Sequence, residues 1–227
     1  MKNWLKIIGF VGLGFVCVFI MFFVWSWLKY AKHIIATQPR VTISLPFTSE
    51  NDDARLIPMG EKIGHPCCHG HPGIDFQWNH NVPLIAVADG KITGISREED
   101  EGQPVWYIEL AFGGYLARYK ELDTYPTGLH RGSTVRRGDI IGYPHGSSHP
   151  GDRNHATSIG YQLHWEFAYD TPFSFLPWVD RLCPLTYFDA DSRRRIDTIW
   201  DKVTAEIYRD KNIYPNICNG WYYGHDQ

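Results

Sequence analysis

The twenty-two residues from Ile7 to Leu28 carry no charge. That is slightly more than the roughly 20 apolar residues a helix needs to cross the hydrocarbon core of a bilayer. The run therefore sets the organisation: residues 1–6 read as a short N-terminus, 7–28 as a transmembrane helix, and the globular part lies C-terminal to it. Trp4, Trp25 and Trp27 sit near its ends, where amphipathic rings favour the interface. The competing reading is a signal peptide, whose apolar core is usually about 7–15 residues long and ends at a small-x-small cleavage site. The run is longer than that, and Trp25-Ser26-Trp27 offers no such site. Cys17 comes after Phe15-Val16, which does not suit lipoprotein cleavage either. Lys2 and Lys6 on one side, and Lys29, Lys32 and Arg40 on the other, leave the orientation open.

Beyond this run the chain is long enough for one sizeable core. Nine Trp and thirteen Tyr, with 21 Gly and 14 Pro, favour strands and turns over a helical bundle. A net charge of −3 without a basic stripe argues against nucleic acid as a partner. Residues 29–54 read as a juxtamembrane linker: an alternating piece, Val41 to Leu45, then Pro46 and the polar run Thr48 to Asp53. The loop from Gly64 to His71 is rich in His, Cys, Gly and Pro, which excludes a regular element. Strands are expected at Leu84–Ala88, Lys91–Ile95, Val105–Leu110 and Tyr115–Glu121, the last two joined through Gly113-Gly114. Arg97–Gly102 reads as a charged hairpin tip. Thr134-Val135 and Ile140-Ile141 flank a turn at Arg137-Gly138-Asp139, and a long loop from Pro144 to Ile159 holds His145, His149 and His155.

In Gly160–Phe167, Gln162, His164 and Glu166 alternate with Leu163, Trp165 and Phe167. A strand so patterned lays a polar face over a packed core. Near the end, Ile196, Ile199, Trp200, Val203 and Ile207 recur at helical spacing, with Asp191 or Ser192 as N-cap. His71 and Asp75, four apart across Pro72-Gly73, can turn toward one point because glycine permits a tight path. With His164 from a neighbouring strand they form a candidate zinc set, since a catalytic zinc takes three protein ligands of imidazole and carboxylate type.

Four segments in order then show a resemblance: His71-Pro-Gly-Ile-Asp75, Val82 to Ile95, Val135-Arg-Arg-Gly-Asp-Ile-Ile-Gly142, and Gln162-Leu-His-Trp-Glu166. Together they resemble a LytM/lysostaphin-type zinc metalloendopeptidase domain. The resemblance implies a mainly β, antiparallel sandwich or open barrel over residues 55–188, with a C-terminal helix and tail at 189–227. It also implies Zn²⁺ held by His71, Asp75 and His164, with the peptides of bacterial peptidoglycan as substrate. A domain facing that substrate lies outside the bacterial inner membrane, on a single-pass anchor, which makes residues 1–6 a short cytoplasmic N-terminus.

The chain departs from the family's pattern twice. Gln162 stands where a histidine opens the H-x-H motif, and Glu121 stands where a middle strand carries a second histidine. A carboxylate is a competent general base, so Glu121 is the expected base. Gln162 cannot carry a proton; it can donate to an oxyanion or orient water. His145, His149 or His155 is the alternative source of an imidazole. A competing function is a catalytically weakened or inactive zinc-binding module that regulates another cell-wall hydrolase through protein contact. A third is a zinc hydrolase with a different substrate. In an oxidising compartment Cys183 and Cys218 can pair. Cys67 and Cys68 read as loop residues or, with His69 and His71, as a second metal site. Arg193-Arg194-Arg195 reads as a solvated helix start or a contact for anionic cell-wall polymer.

Overall fold

A computed structural model describes residues 14, 16–25, 40–61, 70–100, 103–146, 160–170, 181–202 and 216–218. The chain divides into two compact units, Met1–Gln38 and Pro39–Gln227. In the first, residues 16–25 are helical and their apolar side chains are exposed. The expected span 7–28 lies partly outside the described residues. Among those described, no helix is long and apolar enough to cross a membrane. Cys67, Cys68, His149, His155, Val203 and Ile207 also fall outside them.

The second unit is mainly antiparallel β, a nine-stranded sheet ordered β1-β2-β9-β8-β6-β5-β4-β7, with β3 paired to β8. Its strands are β1 Arg55–Ile57, β2 Ile74–Trp78, β3 Leu84–Ile85, β4 Gly90–Asp100, β5 Gln103–Phe112, β6 Tyr115–Thr124, β7 Thr134–Val135, β8 Ile140–Gly146 and β9 Tyr161–Tyr169. Gly113 and Gly114 both have positive φ (53° and 84°), and so turn β5 into β6 as the Gly-Gly pair predicts. Two expectations about the strands change. The hairpin expected at Arg97–Gly102 is there, but strand pairing runs further along it than expected, with Arg97 opposite Trp106 and Asp100 opposite Gln103. His145 is not on a loop but on β8, opposite Gln162.

Leu163, Trp165 and Phe167 supply the buried face of β9. Trp165 stacks on Phe167 at 6.4 Å and on Phe188 at 6.2 Å, and Phe167 stacks on Tyr115 at 5.3 Å. The opposite face carries Gln162, His164 and Glu166. There the sheet forks: β9 pairs with β8 at Tyr161 and Gln162, then with β6 from His164 onward. On β6 the change of partner falls between Lys120, opposite His164, and Leu122, opposite Pro144. Glu121 lies at that junction. On its other side Trp106 pairs with Leu122 and Ile108 with Tyr119, so Tyr107 alone faces both Lys120 and Glu121. This is a β-bulge, the usual device for re-aiming a side chain at a sheet's fork. Glu121 accordingly takes φ 61°, the left-handed region, at a cost of about 1–3 kcal/mol for a residue with a Cβ.

Residues 40–54 are not a linker. Ile43, Leu45 and Phe47 are fully buried, and Phe47 meets Phe76 and Trp78 edge-on at 5.0 and 5.1 Å. The alternation Val41-Thr-Ile-Ser-Leu45 is therefore a core-facing pattern, and burying each such side chain contributes about 1.5–3 kcal/mol. Ile43 bridges Phe188, and the Leu45 amide donates to Ser192 Oγ at 3.1 Å. The C-terminal helix α1, Ala190–Asp201, is capped by Asp189, not by Asp191 or Ser192; its Oδ1 accepts from the Ser192 amide at 2.6 Å. Ile196, Ile199 and Trp200 bury as the helical spacing predicts and join the same core as the sheet.

The three arginines find acidic partners within the chain. Arg193 pairs with Asp197 and Arg194 with Asp191, while Arg195 holds both oxygens of Asp52 at 3.0 Å. A Cys183–Cys218 disulfide ties residues 216–218 to the domain, closing a separation of 35 residues. Replacing both cysteines by serine is expected to lower unfolding stability by about 2–4 kcal/mol, because the unlinked chain regains loop entropy when unfolded. Denaturant titration with and without reductant reads this directly; equal midpoints would show that the disulfide contributes nothing.

Candidate metal centre

His71 sits at the entry to β2, its backbone clamped by residues 60 and 61. Its amide donates to Glu61 O at 2.8 Å, and its carbonyl accepts from the Gly60 amide at 2.8 Å. The path from His71 to Asp75 passes so close to β9 that a Cβ on Gly73 would stand 2.5 Å from Trp165 O and 3.0 Å from His164 Nε2. Only glycine fits there, which gives the central residue of His71-Pro-Gly-Ile-Asp75 its physical reason. Asp75 is then directly opposite His164 on β9, on the same face of the sheet.

Three atoms converge. His71 Nε2 lies 2.9 Å from Asp75 Oδ1 and 2.9 Å from His164 Nδ1, and His164 Nδ1 lies 2.8 Å from Asp75 Oδ1. All three residues are buried. The remaining nitrogen of each imidazole has its own acceptor. His71 Nδ1–H donates to Pro58 O at 3.3 Å, and His164 Nε2–H donates to Glu166 Oε1 at 3.2 Å. With the other nitrogen of each ring so bonded, Nε2 of His71 and Nδ1 of His164 are the atoms that face Asp75, and each would give up any proton it carries on taking an ion. Back-bonded imidazoles of this kind are what a metal ligand requires. Two neutral imidazoles and one carboxylate suit zinc, so the residues fit the ion that the resemblance implies.

Glu166 has a fully buried side chain surrounded by cations: Arg181 Nη2 at 2.6 Å, Lys120 Nζ at 3.0 Å and Arg118 Nη1 at 3.4 Å. Burial pushes its carboxyl up, but the His164 hydrogen bond and the Arg181 and Lys120 charges outweigh that and hold it well below the usual range. Burial likewise pushes Asp75 up, and the charge of His71 and the hydrogen bonds from His164 and His71 bring it down instead. For His164, burial alone would lower the imidazole; its bonds to Asp75 and Glu166 raise it to about 10. Two anionic carboxylates thus flank His164, a setting that favours a cation.

Beside the triangle, Gln162 Nε2 donates to Glu121 Oε2 at 2.8 Å, and Gln77 Nε2 donates to Gln162 Oε1 at 2.6 Å. Glu121 and Gln162, expected from the sequence to be separate participants, are therefore bonded to each other. His145 shares their face, with Nδ1 at 4.0 Å from Asp123 Oδ1. Gln77 lies just beyond the motif that ends at Asp75, and the motif gives no reason to look at it. A signal was nonetheless present, since alternation puts positions 75 and 77 on one face of a strand.

Residues 69–173 match the model of Peptidase family M23. Among similar solved structures is Csd3 of Helicobacter pylori, at TM-score 0.45 and 16% identity, covering 71% of this chain and 40% of that one. Lysostaphin from Staphylococcus simulans gives TM-score 0.44 and 20% identity over 63% of this chain and 53% of that one. The catalytic domain of the prophage-encoded M23 protein EnpA from Enterococcus faecalis gives 0.42 and 19%, over 63% and 96%. The chain thus spans well under two thirds of the Csd3 and lysostaphin chains. No curated protein matches it.

Proposed function

We propose, from the premise that residues 69–173 are a Peptidase family M23 domain, that this chain is a zinc-dependent peptidase cutting peptide bonds of bacterial peptidoglycan. The observation that carries the reading is the triangle of His71 Nε2, Asp75 Oδ1 and His164 Nδ1, with both imidazoles anchored from behind. Zinc held by these atoms would supply Lewis acidity, polarising a carbonyl and making water acidic near neutral pH. The chain's own residues do the rest. Pro58 O and Glu166 fix which nitrogen of each imidazole faces the site. Glu121 is the base: its carboxylate accepts the proton of the attacking water and returns it to the leaving amine. Gln162 spends one amide hydrogen on Glu121 and so serves by aiming the base.

Within the same proposal, residues 7–28 anchor the chain in the inner membrane and the domain faces outward. The charge-free run supports the anchor, and the Cys183–Cys218 pair suits an oxidising compartment.

The test is digestion of purified peptidoglycan by the zinc-loaded full chain and by Glu121→Gln. Loss of the base is expected to slow cleavage by about 10²–10⁴-fold while zinc content stays at one per chain. Equal cleavage by the variant removes Glu121 from the mechanism. A wild-type chain that holds zinc and cuts nothing would instead favour a regulatory binding module.

A further inference from the structure

Gln77 has no place in the chemistry above, yet it is buried and directly opposite Gln162, one alternation step from Asp75. Its bond to Gln162 and the bond from Gln162 to Glu121 join three strands, β2, β9 and β6, into one chain of side chains. The direction of that chain is forced. An ionised carboxylate has no hydrogen to give, so Gln162 must turn its NH₂ toward Glu121. Its carbonyl then faces Gln77, which must answer with its own NH₂. A glutamine amide held at one end only can still swing, and the buried donor on β2 fixes the other end.

We propose that Gln77 is a positioning residue for Glu121, acting through the amide of Gln162. It holds Gln162 with its NH₂ toward the site and thereby keeps the Glu121 carboxylate, on its left-handed bulge, aimed at the metal centre. The catalytic consequence rests on the peptidase reading above; the orientation of the amide does not.

Two measurements test this. The first uses the metal-free full chain, ¹⁵N-labelled in glutamine side chains, with the Gln162 amide assigned by its loss in Gln162→Met. In Gln77→Met the Gln162 NH₂ resonances are expected to move toward those of a free amide. In Gln77→Glu, of the same shape but acceptor-only, the Gln162 carbonyl faces a carboxylate instead of a donor, and the NH₂ resonances are expected to shift further and differently. Gln162 resonances unchanged in either folded variant would overturn the proposal, whether or not the protein is a peptidase.

The second is a double-mutant cycle on peptidoglycan cleavage. Gln77→Met is expected to lower kcat by about tenfold to a hundredfold, the scale of a misaimed group, with KM unchanged. It is expected to cost nothing further in a Gln162→Met or Glu121→Gln background. Additive losses would make Gln77 a structural residue only and overturn the proposal. A wild type without peptidase activity would sink the function proposed above and leave the amide measurement to decide this one.

Discussion

Replacing Asp75 by alanine is expected to leave well under one zinc per purified chain and to lower peptidoglycan cleavage by about 10³-fold or more. Asp75 Oδ1 is 2.8–2.9 Å from both imidazole donors. It also supplies the only negative charge of the triangle, without which two neutral imidazoles remain. Lewis-acid stabilisation of a transition state is worth several kcal/mol, and each 1.36 kcal/mol is about tenfold in rate. Metal analysis and cleavage assays on the same preparation check it. A full equivalent of zinc in Asp75→Ala would place the ion elsewhere in the chain. Cleavage persisting without zinc would end the metallopeptidase reading altogether.

The second large effect is expected at Glu166, on stability as well as on metal. Glu166→Ala leaves Arg118 and Arg181, both with side chains only 4% exposed, facing a site that has lost its anion. Removing one partner of a buried charge cluster costs about 3–5 kcal/mol. Arg118 keeps a second anchor, Glu109 Oε2 at 3.1 Å, so the lower half of that range is expected. The same substitution removes the acceptor of His164 Nε2–H, and loss of such a back-bond lowers metal affinity by about 10–100-fold. Glu166→Gln keeps an acceptor for His164 without the charge. It should therefore recover part of the zinc affinity while remaining destabilised. Denaturant titration and competition with a zinc chelator separate the two effects; loss of neither in Glu166→Ala would show the cluster to be incidental.

What the sequence made legible is what repeats or alternates. The polar and apolar faces of β9, the Gly113-Gly114 turn and the buried stripe of α1 arise from local rules, and the structure keeps them. The donor set was legible through the four motifs in order, and Gly73 and the strand register are what bring its three members together. What escaped depends on contacts distant in sequence. Val41–Asp53 looked like a tether because Pro46 and the acidic run are locally polar. It became core because Phe76, Trp78 and Ser192 wait for it elsewhere. The bulge at Glu121 has no local signature, since Tyr115–Glu121 alternates like any strand and only the fork with β8 forces the extra residue. Gln77 escaped for the same reason, its meaning residing in a partner 85 residues away.

The clasp between residues 43–52 and 187–195 has a consequence for how the protein is made. Ile43 needs Phe188, Leu45 needs Ser192, and Asp52 needs Arg195. The first strip of the domain to leave the ribosome thus meets its partners only when nearly the last has emerged. Until then Ile43 and Leu45 lack those partners, and apolar surface left open in this way is prone to misassociation. If the chain is exported in extended form, as the location proposed above requires, that delay is an advantage. A domain that cannot close before residue 195 has been made cannot jam the pore by folding early.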